Sequence, residues 1–339
     1  MEYVWSMGKR NLDHVPTDPA WHRKMFPEFC RFEILGGGPD PHMQLAVHQA
    51  KDSADPVWFL GGCYIGPYVV SSAEFISQAW PTAKSVRENP LAFHEWIEQN
   101  YHLLEIRRER RAIYGIRRFS NFMLGYAQWC GEFSPPGTSF DDDWDYIQTV
   151  PMNGRYGSMK LYETLLMADI LQHHWYDIRP KSGPTPREAL SWLRPELAGL
   201  HKRNDASAIW LTNKVAGEEK EWLRKEKGLD LNWFHYEVLL CEYRQNIISQ
   251  SQYPGRSHDS ELGRARSLEA KIPGLKLRLW EDRATLFPTR PLGEIRSRWD
   301  GRREGVGKIA TKHGYTWSDM VFDYSRTTDL ANPVRWNDA

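Results

Sequence analysis

The segment FSNFMLGYAQWC, residues 119–130, repeats large apolar side chains at intervals of three and four positions. These side chains are Phe119, Phe122, Met123, Tyr126, Trp129 and Cys130. Such spacing places them on one face of an α-helix, so the segment predicts a helix with a wide buried stripe. Large rings at helical spacing more often fill a core than bind a ligand, and we interpret the stripe as core.

Helix-start signals recur along most of the chain. Asp40-Pro41, Asn89-Pro90 and Thr185-Pro186 each join a capping residue to a first-turn proline, and Ser71 with Glu74 has the spacing of a capping box. Alternating runs typical of strands are scarce. We therefore predict a mainly α fold, with one large helical domain at 19–272 and an irregular C-terminal extension of unknown fold at 273–339.

The composition excludes several classes of protein. The 339 residues hold 44 Lys and Arg against 44 Asp and Glu, so no overall field attracts polyanions, and contacts to nucleic acid must come from local clusters. We find neither an apolar run of about 20 residues nor an apolar signal segment, and we expect a cytoplasmic protein without membrane contact. The four cysteines form no CxxC pair, so no metal site is predicted.

A dense basic cluster comprises Arg107, Arg108, Arg110 and Arg111, interrupted by Glu109. On an α-helix Arg107 and Arg108 would both neighbour Arg111, which would give a guanidinium surface suited to phosphate or pyrophosphate. A solvated helix face is an equally good interpretation of the cluster.

A second candidate site lies where Asn153-Gly154-Arg155-Tyr156-Gly157 leads into an apolar helix that carries Lys160 and Glu163. The free N–H groups of a glycine-rich helix start form an anion site, which Arg155 and Lys160 could supplement. Charges in so apolar a helix pair with each other or serve a site, and we favour a site.

The third candidate combines the end of a long helix with a turn. The helix end holds Glu242 and Arg244, and the turn that follows holds Tyr253, Arg256, His258 and Asp259. Together they offer acid, base and anion-binding groups, although loops are also polar for solvation alone.

Four elements, in this order, resemble the amino acid:DNA transferases, also called α-glutamyl/putrescinyl thymine pyrophosphorylases, of bacteriophages that hypermodify thymine. They are Trp58–Tyr64, Arg107–Arg111, Gly154–Gly157 with Lys160 and Glu163, and Tyr253–Arg256 with Asp259. The resemblance runs from Phe29 to Leu262 and rests on order and spacing. It leaves the C-terminal extension uncovered.

The resemblance implies a reaction on DNA that carries modified thymine. A DNA-base kinase first makes the pyrophosphate ester of 5-hydroxymethyluracil, and the transferase then replaces pyrophosphate with the amine of an amino acid or polyamine. In that reaction cations stabilise the departing pyrophosphate and a base deprotonates the incoming ammonium. A magnesium ion could share the pyrophosphate, although no ligand set demands one.

The candidate residues follow from these three sites. Candidate catalytic residues are Lys160, Glu163, Glu242, His258 and Asp259. Candidate substrate-binding and pyrophosphate-binding residues are Arg107, Arg108, Arg111, Arg155, Tyr156, Arg244, Tyr253 and Arg256. If the base is flipped out of duplex DNA, Trp58, Tyr64 or Tyr156 could stack on it.

Cys63 has two interpretations, a thiolate that adds to the uracil ring or a small buried apolar side chain, and we favour the second. Two other functions also remain open for the chain. One is a non-catalytic helical DNA-binding protein, and the other is a helical enzyme that, like a DNA glycosylase, removes the modified base.

Overall fold

The computed structural model describes residues 15–35, 40–173, 184–248 and 255–287. These ranges are mainly α-helical and contain no β-strand, which confirms the predicted fold class. Their α-helices are α1 (Pro19–Leu35), α2 (Pro41–Ala50), α3 (Val70–Ala79), α4 (Ala83–Glu88), α5 (Pro90–Asn100), α6 (Ile116–Gly131), α7 (Phe140–Ile147), α8 (Gly154–Met167), α9 (Pro184–Leu193), α10 (Ala206–Lys227), α11 (Trp233–Ile248), α12 (Arg256–Lys271) and α13 (Leu279–Leu286). A π-helix (Trp58–Ile65) and the 3-10 helices Tyr101–Leu103, Arg108–Ile113 and Pro195–Leu197 complete the described elements. None of the helices in these ranges is long and apolar enough to cross a membrane.

The chain divides into two compact units. The described residues of the first unit are 15–33 and 184–248, and there α9 packs on α11. Those of the second unit are 34–35, 40–173 and 255–287, and there α6 packs on α4 and on the π-helix. The predicted domain ranges 19–272 and 273–339 stay predictions. The described part of the second range carries α13, which packs on α2.

The predicted core helix is α6, and its apolar stripe is buried as expected. The stripe residues with at most 8% exposure are Phe119, Phe122, Met123, Tyr126 and Trp129, whereas Cys130 is partly exposed. The helix begins after Gly115, whose φ of 95° lies in a region that favours glycine. A single helix is only marginally stable in water, and burial of this apolar stripe stabilises α6.

Two of the four predicted helix starts are confirmed and two are wrong. Thr185 does not cap α9, because the helix already includes Pro184. Helices α2 and α5 begin at Pro41 and Pro90, directly after Asp40 and Asn89, although neither side chain caps its helix. Ser71 and Glu74 do not form a capping box, because α3 already begins at Val70. The N–H of Val70 is instead satisfied across the unit by the Glu261 carboxylate, at 2.6 Å.

The π-helix places two glycines against large rings. A Cβ atom on Gly61 would overlap the Tyr126 hydroxyl, and one on Gly62 would overlap the Trp58 ring. Close approach therefore requires glycine at both positions. Every residue of the π-helix is buried, and its last turn carries Cys63 and Tyr64 into the core of the second unit.

A buried carboxylate attaches α13 to the second unit. Glu74 accepts hydrogen bonds from the backbone N–H groups of Arg278 and Leu279, at 2.6 and 2.9 Å, where α13 begins. The Gln49 amide bridges Glu74 and Asp282, at 2.5 and 2.8 Å. Burial raises the pKa of Glu74 to about 7, although these donors oppose the shift.

Glu74 predicts a pH dependence of stability. Its pKa is 4.5 when unshifted and about 7 in the folded chain, so the folded state binds its proton more tightly. The corresponding stabilisation is present below about pH 4.5 and is lost as the pH rises through about 7, with a limit of about 3 kcal/mol. We expect Glu74→Gln to weaken the dependence of the free energy of unfolding on pH between pH 5 and 7.5, measured by urea denaturation. Equal slopes for wild type and variant would contradict the role of Glu74.

Candidate functional site

Helix α8 presents three predicted site residues on one face. Tyr156, Lys160 and Glu163 are separated by four and three positions, and from Gly157 onward the helix is almost wholly buried. Helical geometry aligns such positions in a stripe, which spans about 10 Å along the axis from Tyr156 to Glu163. The Lys160 and Glu163 side chains are 7% and 1% exposed.

Lys160 is held between two carboxylates. Its Nζ atom lies 3.0 Å from Asp40 Oδ2 and 2.8 Å from Glu163 Oε2. Asp40 stands in the left-handed region, with φ 49° and ψ 57°, and its side chain binds Lys160 rather than capping α2. Asp adopts this conformation more readily than most residues with a Cβ atom, and the buried ion pair with Lys160 orients its side chain.

The two carboxylates on Lys160 differ in pKa. Burial raises the pKa of Asp40, but Lys160 and His42 outweigh burial and hold it well below its usual range. Burial raises the pKa of Glu163 above its usual range, and Lys160 only partly offsets this. Glu163 Oε1 is buried and accepts no hydrogen bond from the residues that the structure describes. Glu163 is therefore the stronger base of the two and retains an unused acceptor.

Asp40, Lys160 and Glu163 form a buried cluster, and His42 connects it to Arg107. Its Nδ1 lies 2.6 Å from the Tyr64 hydroxyl, and its Nε2 lies 2.8 Å from the Arg107 guanidinium and 3.1 Å from Asp40 Oδ1. Burial and the charge of Arg107 lower the pKa of His42, so the ring is neutral at pH 7. Nε2 lies between a guanidinium, which only donates, and a carboxylate, which only accepts, so the ring tautomer sets which of the two it bonds.

The arginine cluster does not form the predicted α-helical surface. Arg107 has extended backbone and precedes the 3-10 helix Arg108–Ile113, so it is not a helical neighbour of Arg111. Arg107 faces inward, with its guanidinium carbon 5.3 Å from the centre of the Tyr68 ring, whereas Arg108 and Arg111 are exposed. The structure thus divides the cluster into inward and outward arginines.

Arg110 also points inward, and its hydrogen bonds connect the arginine segment to Asn153 at the start of α8. Its guanidinium donates to the Asn153 carbonyl at 3.0 Å, to Asn153 Oδ1 at 2.9 Å and to the Gly66 carbonyl at 3.3 Å. A Cβ atom on Gly157 would overlap this guanidinium, so glycine is required there. Burial lowers the pKa of Arg110 to about 10, which still leaves it charged at neutral pH. Asn153 Nδ2 is buried without a hydrogen-bond partner among the described residues.

The predicted residues of the third candidate site are on α11 and α12 or lie outside the described residues. Glu242 and Arg244 are on α11 of the first unit, where Arg244 pairs with Glu188 at 2.6 Å. Tyr253 lies outside the described residues.

Three other candidates, Arg256, His258 and Asp259, occupy the first turn of α12 in the second unit. His258 is buried, with Nε2 3.2 Å from Arg283 Nε and its ring against Phe287. Burial, followed by the charge of Arg283, lowers the pKa of His258 to about 4. A neutral ring packed in this way suits the attachment of α12 to α13, and the sequence alone could not distinguish that contact from a catalytic base.

The candidate site residues left out four side chains in or beside the buried cluster around Lys160: Asp40, His42, Arg110 and Glu261. The sequence presents Asp40 as a helix cap, and the arginine run contains Arg110 without showing that it is buried. Glu261 is wholly buried on α12, with Oε1 on the Val70 N–H and a charge that raises the pKa of Arg107. A signal for Asp40 was present, since an Asp-Pro-His sequence places acid and base beside each other.

The three proposed stacking rings differ in exposure. Trp58 is wholly buried, donates its indole N–H to the Trp80 carbonyl at 2.8 Å and packs on Phe93, so it is a core residue. Tyr64 is also wholly buried, against His42. Tyr156 exposes 38% of its surface and meets Tyr68 edge-on at 6.0 Å between ring centres. Of the three, Tyr156 alone has an exposed ring.

Cys63 is fully buried in the π-helix, and burial raises the pKa of its thiol well above the usual range. A thiol in this setting stays protonated and is a poor nucleophile. We expect Cys63→Ala to lose about 1–2 kcal/mol of stability through the small cavity, measured by urea denaturation. In the reaction that the resemblance implies, the variant should retain turnover within about threefold, measured by pyrophosphate release. A loss of that turnover by orders of magnitude in a folded variant would restore the covalent interpretation.

No protein-family model, no curated protein and no solved structure matches this chain. Among the described residues, no group of three or more His, Cys, Asp and Glu side chains could hold a metal ion. What the chain does must be inferred from its own residues, above all from the buried cluster around Lys160.

Proposed function

We propose that the chain is a transferase that replaces the pyrophosphate of 5-(pyrophosphoryloxymethyl)uracil in DNA with the amine of an amino acid or polyamine. The observation that carries this proposal is the state of Glu163, a buried carboxylate with a raised pKa, a lysine at 2.8 Å and a second oxygen without a donor. An incoming ammonium group would supply the missing donor. Its second support is the resemblance of four sequence elements, in their order and spacing, to the amino acid:DNA transferases.

Glu163 suits the role of general base. The ammonium of the donor substrate must lose a proton before its nitrogen can attack, and Glu163 Oε1 is the acceptor left open for it. The raised pKa of Glu163 makes that transfer more favourable than it would be to an ordinary carboxylate. The free amine then forms a bond to the exocyclic methylene carbon, and the bond from that carbon to the pyrophosphate oxygen breaks.

The inward cations suit the departing group. Pyrophosphate gains negative charge as the bond to carbon breaks, and fixed cations in a region that excludes water stabilise such charge strongly. Lys160, Arg107 and Arg110 supply three positive charges around the start of α8, and Arg155 stands on its first turn. Magnesium could share the pyrophosphate with them. The kinase that makes the pyrophosphate ester is the expected functional partner.

The test is a reaction on defined DNA. The full chain is incubated with duplex that carries the pyrophosphate ester, together with a panel of amino acids and polyamines, and the nucleosides are analysed by mass. The expected result is an amine-substituted thymidine and an equal amount of free pyrophosphate. Duplex with unphosphorylated 5-hydroxymethyluracil is the control and should give no product. Release of free base with an abasic site would identify a glycosylase-like enzyme, and binding without any product would identify a non-catalytic DNA-binding protein.

A further inference from the structure

An exposed surface beside the buried cluster carries arginines without counterions. Arg108, Arg111, Arg117 and Arg118 are all exposed, and none has an ion-pair partner among the residues described; we call these four side chains the arginine surface. Several exposed arginines elsewhere in the described residues are ion-paired, as Arg203 is with Asp205, Arg224 with Glu221 and Arg278 with Asp52. The only acidic residue within 107–118 is Glu109, so the segment is strongly positive although the whole chain is neutral.

Exposed apolar side chains lie in the same part of the second unit. In the described part of the chain, the large apolar residues with the greatest exposure are Leu91, Tyr114, Ile116, Met152, Tyr156 and Trp210. Four of these six lie within 114–116 or 152–156, and Arg110 joins the two segments through its hydrogen bonds to Asn153. Met152 has a φ of 58°, so its backbone is held in an unfavourable conformation while 44% of its surface is exposed.

We propose that the arginine surface binds the phosphate backbone of duplex DNA and places the duplex beside the start of α8. Arginine forms bidentate hydrogen bonds with phosphate oxygens, and unpaired cations on a neutral protein are the local footprint of a polyanion. Ile116 and Met152 are of the side-chain types that wedge between the base steps of a duplex. Proteins that bind single strands instead use a groove in which several rings stack on successive bases. The two segments expose only the rings of Tyr114 and Tyr156, which favours a duplex.

This inference deepens the proposed function, because it names the surface that would deliver a base to the buried cluster. It assigns Arg108 and Arg111 to the DNA backbone and leaves the pyrophosphate to the inward cations. Binding to DNA can be measured without any chemistry, so the two proposals can fail separately.

The test compares two double variants with a matched control. Fluorescence anisotropy with a labelled, unmodified duplex gives affinity over a range of salt concentrations for the full chain. The two double variants are Arg108→Ala with Arg111→Ala, and Arg117→Ala with Arg118→Ala. We expect each to bind the duplex roughly tenfold more weakly at low salt for every phosphate that it no longer neutralises. The slope of log affinity against log salt should fall by about 0.9 for each such phosphate. Arg203→Ala with Arg224→Ala removes the same charge from ion-paired sites and should change neither.

Circular dichroism establishes that each variant is folded before binding is compared. Unchanged affinity and slope in both double variants would overturn the proposal, and so would an equal loss in the control. The same sequence as a single strand is expected to bind more weakly than the duplex. Tighter binding of the single strand would also overturn the proposal. A chain that binds duplex through this surface yet makes no amine-substituted product would retain the surface and lose the proposed function.

Discussion

Replacing Glu163 by glutamine is expected to slow amine transfer by about 10²–10⁴-fold, the usual contribution of a positioned general base. Glutamine keeps the shape of the side chain but cannot accept the proton of an incoming ammonium. The wild-type rate should rise with pH as Glu163 loses its proton, at a pH above the ordinary range for glutamate because burial raises its pKa. The variant should lose that rising limb, as measured by pyrophosphate release at saturating amine.

Glu105→Gln is the matched control for this experiment. Glu105 is a partly exposed carboxylate of the same unit, paired with Arg264 at 3.2 Å, and it is not part of the cluster around Lys160. Its replacement should leave both the rate and its pH profile unchanged. If the Glu163 variant keeps the wild-type rate and the rising limb while it remains folded, another residue is the base.

Replacing Lys160 by methionine is expected to lower the free energy of unfolding by about 3–5 kcal/mol at neutral pH, because it removes the cation from two buried carboxylates. Methionine retains the apolar stem, so the loss reports charge rather than packing. Without the ammonium, burial raises the pKa of Asp40 and Glu163 above that of the unfolded chain. The variant should therefore regain stability as the pH falls and both carboxylates bind protons, measured by urea denaturation over a range of pH.

The control for this variant neutralises all three groups together. Asp40→Asn and Glu163→Gln in the Lys160→Met background leave no buried charge at this position, so most of the lost stability should return. Stability close to wild type in Lys160→Met alone would mean that water solvates the carboxylates, which would contradict the buried cluster. Recovered stability without recovered turnover in the triple variant would separate the structural role of the cluster from its chemistry.

Helices with local signals could be predicted from the sequence. Helix α6 followed from its spacing, and α2 and α5 followed from prolines at Pro41 and Pro90, because these signals act within a few residues. The capping box at Ser71 failed for a non-local reason. Glu74 is engaged by the backbone of Arg278, 204 positions later, and no local pattern contains that contact.

The candidate site was partly predictable for the same reason. Lys160 and Glu163 were identified because three-residue spacing on an apolar helix brings them together. Asp40, 120 positions from Lys160, could not be added without the fold. The arginine cluster was recognisable by composition, but which arginines point inward depends on a 3-10 turn that the spacing did not predict.

The π-helix limits which deletions the sequence can tolerate during evolution. One turn of a π-helix holds about one residue more than an α-turn, so the segment is equivalent to an α-helix that has gained a residue. Removing that residue would rotate everything after it by about 100° and turn Tyr64 away from His42. Related chains should therefore conserve the length of this segment more strictly than the identity of its outer apolar residues, and an alignment gap within 58–65 would mark a lineage that has lost the buried cluster.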